Sequence, residues 1–414
     1  MSVSVVGLGK LGLCTAACLA CEGVTVIGYD NDPKRIALLG EHKCYIDEPG
    51  LEDKLSEAFV HHKFAITDDI QTIIEHTDQT FIIVPTPSDE YGWFSNAAIM
   101  DVLNKMVPYI KAKFSHHIIN IVSTVMPGSC NKFISYIEDR TGKKSGKDFD
   151  ITYNPEFIAI GNVIQGFLHP DFVLIGSDNY PAGHKISENY KTISNNMQMM
   201  SLINAEITKL SLNCFLTAKI SFINELATIC EMVPGANIDN ITEAIGNDSR
   251  VGSKLMKAGL GFGGPCLPRD IVALSAFARQ KGYDAKIPSA IGMVNNGVVG
   301  RILSRILCHV PSNGIIDIYG SSYKSGTTLT EGSQSIILRD ELVKMGYYVR
   351  VFEEEHEYVE EKYPFAIVVM SDSIQIQLSA LHKNCLLVDP WRRFPQAREY
   401  CIYYGMGVNN GYYE

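Results

Sequence analysis

The segment Gly261-Phe262-Gly263-Gly264-Pro265-Cys266-Leu267-Pro268-Arg269-Asp270 sets a cysteine in a frame of glycines and prolines. Glycines on one side of a thiol expose its sulfur and let a ligand approach. Asp270 follows four residues later, within one turn if a helix starts after Pro268. Upstream, Glu206, Lys209, Asn213, Asn224 and Glu225 recur along one helix-forming stretch. Lys209 and Asn213 are four residues apart and so share a helix face. An isolated Lys–Asn pair reads first as a solvated face, and an isolated cysteine as a structural residue. Together they read differently. A lysine and an amide on a rigid helix stabilise a developing oxyanion. A thiol beside Lys209 has its pKa lowered and becomes a covalent nucleophile.

A second set of residues points to a dinucleotide. Gly7-Leu8-Gly9-Lys10-Leu11-Gly12 follows an apolar strand and opens a helix. Gly7 permits the tight turn, Gly9 lets a pyrophosphate reach the backbone, and Gly12 allows close helix–strand packing. Leu11 belongs to the same cofactor loop. The next strand ends at Asp30, where a carboxylate accepts from both ribose hydroxyls and repels a 2′-phosphate. NAD is therefore expected over NADP, although Lys34 and Arg35 close by weaken the preference. Three further polar segments end strands: Val84-Pro85-Thr86-Pro87, Ser123-Thr124 with Pro127-Gly128, and Tyr153-Asn154-Pro155-Glu156-Phe157. Each alone is turn chemistry. On the same edge as a glycine loop they form a site. A nicotinamide site plus a nucleophilic cysteine suggests oxidation beyond the aldehyde.

These residues need a scaffold. Val3–Val6, Thr25–Gly28, Thr80–Val84, Ile118–Val122 and Val173–Gly176 read as buried strands, alternating with helical stretches such as Leu11–Cys21 and Pro33–Leu39. That alternation predicts a parallel α/β sheet with helices on both faces. From about Asn196 to Ala276 the pattern is helical and poor in strand signals, with Ala205–Met232 as one long helix. A second α/β pattern begins near Pro311. Its strands are Gly314–Tyr319, Tyr348–Phe352, Phe365–Val369 and Cys385–Val388, with a helix over Ser335–Met345. The tail Tyr400–Glu414 has no assigned place. The expectation is α/β: two Rossmann-like doubly wound domains joined by a long central helix, divided as 1–195, 196–300 and 301–414.

Composition bounds the partners. The 414 residues are 46% hydrophobic and 20% charged, with net charge −10. A surface this acidic argues against nucleic acid and anionic membranes. There is no apolar run long enough to span a bilayer and no basic leader. The eleven cysteines, an odd and scattered number, read as reduced thiols in a cytoplasmic protein. Cys18-Leu19-Ala20-Cys21 reads as helix packing, and no residue set completes a metal site.

The chain resembles the UDP-glucose/GDP-mannose dehydrogenase family, the NAD-dependent nucleotide-sugar 6-dehydrogenases. The resemblance rests on Gly7–Gly12, Glu48-Pro49-Gly50-Leu51, Val84–Pro87, Ser123-Thr124, Asn154–Phe157, Pro170-Asp171, Lys209 with Asn213, Arg250-Val251-Gly252, Gly261–Asp270 and Tyr323-Lys324, in the family's order. It implies an NAD domain, a long helix at a homodimer interface and a C-terminal domain over the nucleotide sugar. It implies two hydride transfers that turn a C6 alcohol into a carboxylate, through a thiohemiacetal and a thioester on Cys266. By position, Lys209 and Asn213 would stabilise the oxyanions and touch the sugar. Asp270 would assist the thiol and the hydrolytic water, and Thr124 and Glu156 would place water and move protons. Gly7, Gly9, Leu11, Gly12, Asp30, Arg35, Thr86 and Thr124 would hold NAD. Phe157, Phe262 and Gly263 would line the substrate, Leu255 would take the place of a base-stacking aromatic, and Lys324 would approach the phosphates. Arg250 would reach the neighbouring subunit's site.

The departures fall on the nucleotide side. Ile160 stands where many members carry a second glutamate, and Gly326, Leu329 and Glu331 stand where two aspartates and an arginine are usual. Phe172 replaces an arginine after Pro170-Asp171, and the late Asp-x-Arg element reads Asp389-Pro390-Trp391-Arg392. UDP-glucose is the expected substrate. A UDP-N-acetylhexosamine or GDP-mannose is the alternative within the family. A two-electron hydroxyacid dehydrogenase and a non-catalytic NAD-binding protein are the alternatives outside it.

Overall fold

The structure, a computed structural model, describes residues 2–158, 161–353 and 364–409. The chain divides into two compact units, Met1–Leu210 and Ser211–Glu414.

The first unit is built on eight strands: β1 (Ser2–Val6), β2 (Thr25–Tyr29), β3 (Phe64–Thr67), β4 (Gln79–Ile82), β5 (His117–Ile121), β6 (Phe149–Tyr153), β7 (Val173–Gly176) and β8 (Met197–Met200). Their order is β3-β2-β1-β4-β5-β6-β7-β8, so the strand order reverses between β1 and β4. Side chains alternate between the faces, as the pleat requires. Val3, Val5, Val26, Phe81 and Ile118 pack on one face with the helix Lys10–Cys21. Val6, Ile82, Ile119, Ile121 and Ile151 pack on the other with the helices Ala97–Ala112 and Ser129–Thr141. Cys14 and Cys18 are fully buried in the first of these layers, as packing residues.

Two expectations need correction here. The sheet is not parallel throughout, because β6 and β7 pair antiparallel through Tyr153 and Gly176. Antiparallel pairing starts β7 at the edge where β6 ends. Because β6 itself runs parallel to β5, Asn154–Phe157 lies at the carboxyl edge of the sheet, with the glycine loop. The second correction is β8, which lies in a stretch read as helical. Met197-Gln-Met-Met200 has no β-branched residue, and parallel pairing with β7 makes it a strand. The long helix itself is continuous over Leu202–Glu231, 30 residues.

The second unit carries β9 (Ile315–Tyr319), β10 (Tyr348–Phe352), β11 (Ala366–Val369), β12 (Leu386–Asp389) and β13 (Ile402–Gly405), in the order β10-β9-β11-β12-β13. Every pair is parallel. Ile316, Ile318, Val368 and Val388 pack beneath the helix Lys286–His309, and Tyr319, Ile367, Val369 and Leu387 pack on the opposite face. The tail that sequence could not place supplies β13.

Candidate active site

At the end of β1 the chain turns at Gly7, whose φ of 92° belongs to the left-handed region. A Cβ on Gly7 would collide with the Ile83 carbonyl after β4, and one on Gly12 would collide with the Gly7 carbonyl. Gly9 is different: nothing lies within 4 Å of where its Cβ would stand. Gly9 is also the N-cap of the helix Lys10–Cys21, and no side chain caps that end. An open backbone and a helix N-terminus without a side-chain cap, at the point where the strand order reverses, fit a pyrophosphate. Leu11 is half-buried behind the loop, against the same core layer as the helix.

Asp30 is buried at the end of β2. It accepts from the Leu8 amide at 2.7 Å and from the Asp32 amide at 2.9 Å. Arg35 lies 3.2 Å from Asp30 and 3.6 Å from Asp32. Its charge is engaged by carboxylates, which strengthens the ribose reading over the 2′-phosphate one. Two residues were missed as supports of this loop. The Tyr45 hydroxyl donates to the Leu8 carbonyl. Glu48 accepts from the Val163 amide at 2.7 Å and faces Lys10 at 3.3 Å. On the neighbouring strand ends, the Thr86 hydroxyl donates to the Thr124 carbonyl at 2.8 Å, and Ser123 bridges to the Val84 carbonyl at 2.7 Å. Thr86 and Thr124 are thereby joined.

The same unit brings together Glu156, Phe157 and Lys209. The Lys209 ammonium donates to the Glu156 carbonyl at 2.6 Å and lies 4.5 Å from the centre of the Phe157 ring. Burial raises the Glu156 carboxyl to a pKa of about 7, while the Lys209 charge opposes the rise. A carboxyl in that range exchanges protons at neutral pH. Its neighbour Tyr190 has no local signal in the sequence. Glu206 is not on a solvated face. It is buried and accepts from the Gly128 amide at 2.5 Å and the Cys130 amide at 2.8 Å, capping the helix Ser129–Thr141. Ile160 lies outside the described residues.

In the second unit, Cys266 is exposed and is the N-cap residue of the helix Leu267–Gln280. The positive end of a helix favours a thiolate. Asp270 is buried and accepts from the Asn213 amide at 2.6 Å, which fixes that amide's orientation. The glycines before Cys266 serve packing as well as access. A Cβ on Gly264 would stand 2.6 Å from the Tyr323 ring, and one on Gly263 would collide with the Gly332 carbonyl. The Gly264 amide donates to the Glu331 carbonyl at 2.9 Å. The segment 323–332 is thus laid against the cysteine loop, and burial together with the charge of Cys266 raises the Tyr323 hydroxyl.

The remaining expected residues are spread more widely over this unit. Phe262 is buried with Cys214, Ile271 and Ile291, and its amide donates to Asn295 at 2.8 Å. Lys324 lies 5.8 Å from the Tyr323 ring centre. Leu255 is 43% exposed and adopts a φ of 62°, unusual for a branched side chain. Arg250 is exposed and pairs with Asp248 at 2.6 Å. Arg392 is spent on structure, with two bonds to Asp239 at 2.7 and 2.8 Å and others to the carbonyls of Ala258, Pro390 and Met406.

A dinucleotide loop of this build in one unit, and in the other an exposed cysteine at a helix N-terminus with an Asp–Asn pair, fit an NAD-dependent dehydrogenase. Residues 1–194 match the UDP-glucose/GDP-mannose dehydrogenase family's NAD binding domain, and residues 203–297 match its central domain. The chain is 32% identical over 359 residues to a UDP-glucose 6-dehydrogenase of Rickettsia bellii, covering 85% of this chain and 81% of that protein. It is 31% identical over 361 residues to a GDP-mannose 6-dehydrogenase of Pseudomonas aeruginosa, covering 86% and 82%. A UDP-glucose dehydrogenase structure from Pyrobaculum islandicum superposes with a TM-score of 0.86 at 26% identity, covering 98% of each chain. The chain belongs to the UDP-glucose/GDP-mannose dehydrogenase family of nucleotide-sugar dehydrogenases, and its cofactor is NAD. Among the described residues, no helix is long and apolar enough to cross a membrane, and no group of acidic, His and Cys side chains could hold a metal ion.

Proposed function

We propose that this protein oxidises the C6 alcohol of UDP-glucose to the carboxylate of UDP-glucuronate. Alcohol and water lose four electrons as two hydrides, and three protons are released with the carboxylate. NAD, when bound, accepts one hydride in each oxidation. Glu156 takes the proton of the alcohol, directly or through water held at Thr124. The Cys266 thiolate then adds to the aldehyde carbon. A C–S bond forms, and the carbonyl oxygen becomes an oxyanion for the Lys209 ammonium and the Asn213 amide. The second oxidation turns this thiohemiacetal into a thioester. Water adds to the thioester, the C–S bond breaks, and the thiolate returns, with Asp270 holding Asn213 and assisting the thiol.

The observation that carries this reading is Cys266 at a helix N-terminus, exposed, four residues before the Asp270 that fixes Asn213. Phe157, Phe262, Gly263, Leu255 and Lys324 are assigned to the substrate, and Arg250 to the site of a second copy. Residues 1–195 serve NAD, 196–300 dimerisation and 301–414 the nucleotide sugar, in a homodimer working in the cytoplasm. The odd, scattered set of eleven cysteines supports that compartment.

Initial rates of NADH formation with UDP-glucose, a UDP-N-acetylhexosamine and GDP-mannose test the substrate. UDP-glucose is expected to give a kcat/KM at least about tenfold above the others, a difference of ~1.4 kcal/mol. A higher value with GDP-mannose would reassign the substrate and keep the reaction.

A further inference from the structure

Two buried asparagines grip the chain before Cys266, and the proposed chemistry uses neither. Residues 259–263 belong to no helix or strand, so their backbone groups look to side chains for partners. Asn224 is buried on the long helix. Its Oδ1 accepts from the Gly259 amide at 3.0 Å, and its Nδ2 donates to the Leu260 carbonyl at 3.2 Å. Asn295 is buried on the helix Lys286–His309. Its Oδ1 accepts from the Phe262 amide at 2.8 Å, and its Nδ2 donates to the Phe262 carbonyl at 3.1 Å. An N–H at one end and a carbonyl at the other fix the orientation of each carboxamide.

The two clamps bear on Cys266 through their placement. Asn224 lies about three turns beyond Asn213 on the same helix, and so on the same face. Asn213 holds Asp270, after the cysteine, and Asn224 holds Gly259 and Leu260, before it. One helix face therefore grips the chain on both sides of Cys266, and Asn295 grips it between, at Phe262. Gly261 admits that grip: a Cβ there would stand 2.5 Å from Asn295 Oδ1. A displacement of about 1 Å at a reacting atom costs about a hundredfold in rate.

We propose that Asn224 and Asn295 are positioning residues, which hold Gly259–Phe262 so that the Cys266 sulfur stands where it captures the aldehyde before the aldehyde leaves. This rests on the reading of Cys266 as the nucleophile.

Asn224→Ala and Asn295→Ala remove the clamps one at a time, and Gly261→Ala displaces Asn295 from the opposite side. The first readout is NADH formed per nucleotide sugar consumed, with semicarbazide present to trap free aldehyde as the semicarbazone. The wild type is expected to form two NADH and no semicarbazone. In the variants, capture slowed about a hundredfold loses to release, so semicarbazone accumulates and the ratio falls from two toward one. The ratio does not depend on how much of a variant folds. An asparagine that served stability alone would lower the amount of active enzyme and leave the ratio at two, and that result in both asparagine variants would overturn the proposal.

The second readout needs no turnover. It is the pH midpoint of Cys266 alkylation by iodoacetamide, with the other thiols subtracted by means of Cys266→Ser. As the sulfur leaves the N-terminus of the helix Leu267–Gln280, the midpoint is expected to rise by about half a pH unit. The other charged and titratable groups of the loop stay in every variant: Asp270, Arg269 at 3.4 Å from it, and Tyr323, whose hydroxyl is raised by burial and by the charge of Cys266. An unchanged midpoint in both asparagine variants would also overturn the proposal. If the wild type forms no NADH from any nucleotide sugar, the functional reading fails, and the midpoint alone decides whether the asparagines place the sulfur.

Discussion

At Glu156 the burial of a carboxyl near one ammonium decides the sign of a pH effect. The folded chain binds this proton more tightly than the unfolded chain, whose carboxyl titrates near 4.5, because burial raises the folded value to about 7. The group's contribution to stability is therefore fully present below the unfolded value, and it is lost as pH rises through the folded one. Glu156→Gln removes that dependence. The difference in urea stability between wild type and Glu156→Gln is expected to swing against the wild type by up to roughly 3 kcal/mol between about pH 4 and about pH 8. A flat difference would mean that the carboxyl is solvated. Single-residue chemistry of this kind was partly legible in the sequence. Asn154-Pro155-Glu156-Phe157 and Gly261–Asp270 announce themselves by composition and spacing. Tyr190 could not be read, because it lies more than thirty residues from Glu156 and reaches it only through the antiparallel return of β7, the helix Tyr180–Ser187 and the 3-10 turn Glu188–Tyr190.

Elements hold these residues through carboxylates at helix ends. Glu206 reads in the sequence as one more charge on a long helix, yet it caps a different helix, Ser129–Thr141, through two amides. No sequence pattern within either helix records such a cap, because donor and acceptor lie more than seventy residues apart. Glu206→Ala would leave those two amides without this acceptor and is expected to cost about 2 kcal/mol, measured as a lowered urea midpoint at unchanged slope. A loss under about 0.5 kcal/mol would show that water replaces the carboxylate. Strand content was legible where β-branched runs are long, as in Ile118–Ile121. It was not legible in Met197–Met200 or Ile402–Gly405, four-residue segments that become strands only by pairing with β7 and β12. The glycines before Cys266 were read as access for a ligand. Two of them also admit the Tyr323–Gly332 segment, a contact that depends on residues sixty positions away.

At the scale of the whole molecule, an apolar stripe lacks a covering element among the described residues. Phe215, Phe222 and Ile229 stand seven residues apart on the long helix and are 65%, 56% and 53% exposed. A seven-residue repeat of large apolar side chains is the seam by which helices pair. Sedimentation is expected to give about twice the 45.8 kDa of one chain, and Phe222→Glu to give the single-chain mass. A wild type that sediments as one chain at micromolar concentration would remove the dimer. The net charge of −10 leaves anion recognition to local features, a role we propose for the open backbone at Gly9 and for Lys324.

The number of NADH formed per nucleotide sugar, at limiting sugar and excess NAD, tests the four-electron chemistry on Cys266 most directly. The wild type should form two, and Cys266→Ser should lose steady turnover by at least about a thousandfold, as for other covalent nucleophiles. One NADH per sugar, or a serine variant that turns over like the wild type, would contradict the thioester route and leave a simple alcohol dehydrogenase.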